Sequence, residues 1–139
     1  MLMSAPLVAQ AAPRVLSLDQ CADQFVMALS PRNAIVGVSS RADDADSRLR
    51  LAARGLPKRR VDLEAVLAAR PEVVVRYWGG EPRLVQALQA RGVQVVNVDE
   101  ANDFAAVRAN IRKVAEALEQ RAAGRLASAR VSTASRSKR

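Results

Sequence analysis

Val73, Val74 and Val75 form an unbroken β-branched run two residues after Pro71. A run without alternation is what a strand covered on both faces of a parallel sheet requires. Upstream, Leu63, Val66 and Leu67 fall at i, i+3 and i+4 and share one helical face. Asp62 is suited to cap that helix, and Glu64 puts negative charge in its first turn, where the helix dipole favours it. Pro71 cannot continue the helix and biases Arg70 away from it. Downstream, Tyr77 and Trp78, the only Tyr and Trp of the chain, sit on the turn Gly79-Gly80. In an open α/β sheet the carboxyl ends of the strands are where ligands bind.

The remaining chain repeats this unit. Arg14–Leu18 (RVLSL) reads as a first strand, followed by the polar turn Asp19-Gln20 and a helix with Ala22, Phe25, Val26 and Leu29 on one face. Ser30-Pro31-Arg32-Asn33 stops that helix, and Ala34–Val38 is a second strand, which makes a parallel βαβ unit. Ser39–Arg60 is polar and rich in loop residues. Asp43, Asp44 and Asp46 lack the glycine and terminal glutamate of a calcium loop, so capping of a helix near Asp46 is expected instead. Pro82 suits the first turn of a helix carrying Leu84, Val85 and Leu88, Gly92 ends it, and Val93–Val98 is a fourth strand. From Asp103, apolar residues from Phe104 through Val107, Ile111, Val114 and Leu118 to Ala122 and Leu126 predict one helix of about 26 residues, about 39 Å long. The fold class is α/β: a Rossmann-like open parallel four-stranded sheet flanked by helices and ending in one long helix of the kind that joins two lobes.

The 139 residues are enough for one domain with a real core. The net charge of +8 invites a nucleic-acid reading, but residues 121–139 hold six of the 22 Lys/Arg and none of the 14 acids. The body is therefore nearly neutral, no aromatic residue interleaves with the basic tail, and no nucleic-acid partner is expected. With one Cys and no His, an internal disulfide, His-based zinc sites, Ser-His-Asp triads and Cys-His pairs are excluded. There is no phosphate loop and no G-x-G-x-x-G, and the turn after the first strand has no glycine to admit a pyrophosphate. A small flavodoxin-like regulatory or enzyme domain, the alternative class, would need that turn. No nucleophile is paired with a base, so a binding protein without catalytic residues, cofactor or metal site is expected. Residues 1–12 read as a residual signal-peptide-like segment, apolar and closing on Ala9-Gln10-Ala11, but without a basic start.

Several segments together resemble a known family, the periplasmic substrate-binding components of ABC importers for cobalamin and ferric siderophores. They are R-V-L-S-L with the following C-A-D-Q-F-V-M-A-L, then I-V-G-V-S-S, G-L-P, D-L-E-A-V-L-A-A-R-P-E-V-V-V and W-G-G. The likeness runs from about Pro13 to Arg130 and is most specific in the segment from Asp62 to Val75. It implies an N-terminal α/β lobe at 13–102 and a long backbone helix at 103–130, while residues 131–139, small, polar and basic, read as a basic disordered tail. In a parallel sheet the strand ends emerge on one edge, where Asp19, Gln20, Arg41, Tyr77, Trp78, Gly79 and Gly80 offer a lining; the resemblance implies a cleft ligand there, a ferric siderophore or cobalamin. Arg41 stands where cobalamin binders often carry an aromatic; a cation there, with Arg76 or Arg83, suits an anionic ferric chelate. Glu64 matches a lobe glutamate that docks onto the inner-membrane ABC permease. The family's second lobe should follow the long helix, and residues 131–139 do not resemble it. The expectation is a periplasmic N-terminal lobe alone, through truncation, frameshift or pairing with a separate second lobe; a vestigial fragment that binds nothing is the other outcome.

Overall fold

In the computed structural model, which describes residues 11–77 and 79–137, the valine run lies at the centre of a four-stranded sheet. The strands are β1 (Val15–Ser17), β2 (Ile35–Gly37), β3 (Val73–Tyr77) and β4 (Gln94–Val98), in the order β2-β1-β3-β4, and every pairing is parallel. The helices are α1 (Gln20–Leu29), α2 (Leu63–Ala68), α3 (Pro82–Ala90), α4 (Phe104–Ala117) and α5 (Arg121–Ser137).

Side chains alternate along a strand, so a strand covered on both faces must be apolar at every position. On one face Val73 and Val75 join Val15, Ala22, Val26, Ile111, Val114 and Leu118, under α1 and α4. On the other face Val74 joins Leu16, Val66, Leu84 and Leu88, under α2 and α3. Three helices start on an aspartate whose carboxylate accepts a backbone N–H three residues on. The pairs are Asp19 with Ala22 at 2.8 Å, Asp62 with Ala65 at 2.8 Å and Asp103 with Ala106 at 2.7 Å. Pro82 opens α3, where its missing N–H costs nothing.

The apolar pattern over 103–130 is realised as two helices rather than one. α4 ends at Ala117, Glu119 takes the left-handed conformation (φ +56°), and α5 folds back along α4. The reversal shifts the inward face by one position. Ala122 and Leu126 are exposed, while Ala123, Ala127 and Val131 pack on the core and Gly124 is buried. α5 is itself long and runs through Ser137, so residues 131–137, expected to be disordered, are helical. Lys138 and Arg139, the segment 1–10 and Trp78 lie outside the described residues.

Residues 39–60 run as turns, and Asp46 caps no helix. Its carboxylate accepts the Gln20 amide at 2.8 Å, while Asp43 pairs with Lys58 and Asp44 with Arg41. These acids pin a loop against the end of the sheet.

Candidate functional site

Parallel pairing sends the carboxyl ends of β1, β2 and β3 to one edge of the sheet. There Asp19, Gln20, Arg41, Tyr77, Gly79 and Gly80 line one open cavity of about 410 Å³. Leu18, Cys21, Val61, Arg76 and Glu81 complete its wall. The residues after β4 do not join it: Asn97 and Asp99 face a separate depression with Lys113, whose ammonium donates to the Asn97 carbonyl at 2.7 Å and pairs with Asp99 at 2.6 Å.

Asp19 is a brace for this edge. One oxygen holds the Ala22 N–H at the start of α1, and the other accepts the Tyr77 N–H at 2.6 Å. The carboxylate thus ties the first turn of α1 to the last residue of β3. Gln20 reaches across to Asp46 and to the Arg41 carbonyl. Arg41 is exposed and engaged with two acids, Asp44 at 2.8 Å and Asp46 at 3.6 Å. The hydrogen bond and charge of Asp44, with Asp46 behind it, push the Arg41 pKa further up. Its charge is therefore largely answered by its own loop.

Arg76 is placed differently. It is 9% exposed and donates from Nη2 to the Gly80 carbonyl at 2.7 Å. Gly79 and Gly80 (φ +84° and +66°) and Glu81 (φ +51°) form a left-handed turn at the cavity mouth. A Cβ at either glycine would meet nothing within 4 Å, so backbone conformation rather than space calls for glycine there.

Beneath the cavity lies a polar knot that the sequence reading missed. Asp23 is fully buried; Oδ1 accepts from the Ser17 hydroxyl and from the Ser39 N–H at 2.9 Å, and Oδ2 from the Ser39 hydroxyl at 2.6 Å. It joins the ends of β1 and β2 to α1. Burial raises its pKa against the pull of these hydrogen bonds, and the charge of Asp19 adds to the rise. A charged residue inside the stripe Ala22, Val26, Leu29 was the available signal. Cys21 went unassigned as well. Partial burial, then the charges of Asp19 and Asp23, push its thiol pKa up.

No family model and no curated protein sequence matches the chain; the likeness is carried by solved structures. The periplasmic haem-binding protein BhuT in complex with two haems matches at 32% identity and a TM-score of 0.66, over 82% of this chain and 44% of that one. The periplasmic haem-binding protein RhuT from Roseiflexus sp. RS-1 matches at 26% identity and a TM-score of 0.71, over 88% and 47%. The periplasmic vitamin B12 binding protein BtuF of Vibrio cholerae matches at 19% identity and 0.68, over 88% and 48%, which shows the fold alone. The chain thus spans less than half the length of the proteins it matches. The structural neighbours of this chain are periplasmic substrate-binding proteins, the ABC-importer class that its sequence resembles.

Proposed function

We propose that the chain is the ligand-binding lobe of a periplasmic substrate-binding protein that delivers an iron-bearing chelate to an ABC permease. The observation that carries this reading is the cavity at the carboxyl ends of β1, β2 and β3, where elements distant in sequence meet beside Tyr77. Leu18, Val61 and Tyr77 are among the residues that line it. That combination suits a flat, largely apolar chelate whose metal takes an oxygen donor. Tyr is a known haem-iron ligand type, and this chain has no His to compete with it. Haem comes ahead of siderophores and cobalamin because BhuT and RhuT, the two of these neighbours above 25% identity, are named as haem-binding proteins. Glu64, exposed in the first turn of α2, is proposed as the permease contact.

Titration with ferric haem, ferric catecholate and hydroxamate chelates and cobalamin tests the reading, followed by fluorescence of Trp78, the only tryptophan, and by visible absorption. Ferric haem should quench Trp78 and give a phenolate-to-iron absorption band that Tyr77→Phe abolishes. Glu64→Lys should leave the titration unchanged and weaken only the response of the cognate permease. No response to any of these chelates would overturn the proposal.

A further inference from the structure

A second cavity opens between α1, the loop 39–60 and the α4–α5 hairpin. It holds about 320 Å³ and shares no lining residue with the cavity beside Tyr77. Phe25, Leu29, Leu49, Ile111, Ala127 and Val131 make it an apolar trough. Leu29 and Ile111 belong to the core, and Phe25, Ala127 and Val131 pack against it, so the floor is set by the fold. The one amide in the wall, Gln24, is spent on its neighbours. Its Nε2 donates to the Gln20 carbonyl at 3.3 Å and to the Ser47 hydroxyl at 3.0 Å, and its Oε1 accepts the Leu49 N–H at 3.0 Å. Gln24 thereby anchors Leu49 in the wall. The two charged residues that line the trough are Arg48, on the loop, and Arg130, on α5; both are exposed, and no acid lines it. Among the described residues neither guanidinium has an ion pair or a hydrogen bond, whereas Arg41 on the same loop is matched by Asp44 and Asp46.

We propose that this trough is a second binding site, for a single-chain amphiphile with a carboxylate head, such as a free fatty acid. The volume lies in the range of small-molecule pockets, about 300–1,000 Å³, and an apolar wall with few polar groups is their usual composition. A hydrocarbon tail covers the apolar floor, and a carboxylate at its end answers the two free guanidinium groups. A second copy of the chain suits the trough less well. A two-fold contact over this face would bring Arg48 and Arg130 of both copies together, like charge against like.

The test is calorimetric titration of the full chain with dodecanoate and with dodecyltrimethylammonium, both below the concentration at which they form micelles. The two share a tail and differ in the charge of the head. The wild-type chain should bind dodecanoate about fivefold or more tightly, the combined effect of two exposed charge contacts. Arg48→Gln with Arg130→Gln should bring the two affinities together, and the pair removes no contact within the chain, so the fold is kept. Arg112→Gln with Arg125→Gln, two arginines outside the trough, removes the same net charge and should leave the preference intact. Ala28→Trp, at an exposed position in the lining, should weaken both amphiphiles by filling the trough. No binding of dodecanoate, equal affinity of the wild-type chain for the two, or an equal loss of preference in the Arg112 and Arg125 control overturns the proposal. A wild-type dimer that Ala28→Trp converts to a monomer makes a second copy the occupant and overturns it too. None of these results bears on the chelate reading, because the two cavities have no residue in common.

Discussion

Asp23 shows what a single buried carboxylate does for the site and what it costs. Three donors converge on it from the ends of β1 and β2, so it fixes the spacing of the strand ends that carry Asp19 and Arg41. Asp23→Ala leaves the Ser17 and Ser39 hydroxyls and one N–H without their acceptor, and should destabilise the fold by about 2–4 kcal/mol in a denaturant melt. The pH response has a definite sign. Its native pKa is raised above the ordinary value of 3.8, so between those two values the native state holds a proton that the unfolded chain has released. Stability from this group is thus fully present below 3.8 and is lost as pH rises through the raised native value. Asp43 and Asp46 act in a different window. Hydrogen bonds from Lys58 and Gln20, respectively, lower their pKa values, so their stabilisation holds above 3.8 and fades only at more acid pH. Asp23→Asn should remove the falling limb above 3.8 and leave the acid limb. An unchanged profile would show that Asp23 titrates alike in both states.

At the scale of elements, the helix starts and strands were legible because each rests on local chemistry. Asp62 and Asp103 cap as their positions imply, Pro82 opens α3, and the Val73–Val75 run is a doubly covered strand. The α4–α5 reversal was not legible. Glu119 adopts φ +56° without being glycine, and neither Gly nor Pro marks the turn, while apolar spacing continues across it. Tertiary packing decides the break. Gly124 sits so close to α4 that an added Cβ would stand 2.5 Å from the Ala115 Cβ. Gly124→Val should therefore push α5 away from α4 and cost about 1–3 kcal/mol, with a lowered melting temperature. Glu119→Gly should instead stabilise slightly, because it relieves the left-handed strain. A Gly124→Val variant as stable as the wild type would mean that the two helices do not pack at this distance in solution.

For the whole molecule, the candidate site was legible as an edge but not as a charge distribution. Topology alone brings the β1, β2 and β3 ends together, which is why Asp19, Gln20, Arg41, Tyr77, Gly79 and Gly80 could be grouped from sequence. Which cation is buried and which is already paired depends on loop 39–60 folding back, and no local pattern encodes that. The same dependence on tertiary structure applies to the basic C-terminal segment. Its charge suggested a solvated tail, yet Ala123, Ala127 and Val131 of α5 pack against the cluster containing Ile111, Val114 and Leu118. The arginines Arg121, Arg125, Arg130 and Arg136 occupy its exposed side. α5 is thus a cover for the core with a charged outer face, as amphipathic packing requires. Deletion of residues 121–139 should uncover that apolar face, cost about 2–5 kcal/mol of stability and promote dye binding and association. Affinity for duplex DNA should be negligible before and after the deletion. A truncated chain that melts at the wild-type temperature would show that α5 adds nothing to the core, and a salt-sensitive DNA affinity lost on truncation would restore the nucleic-acid role that the charge distribution argues against.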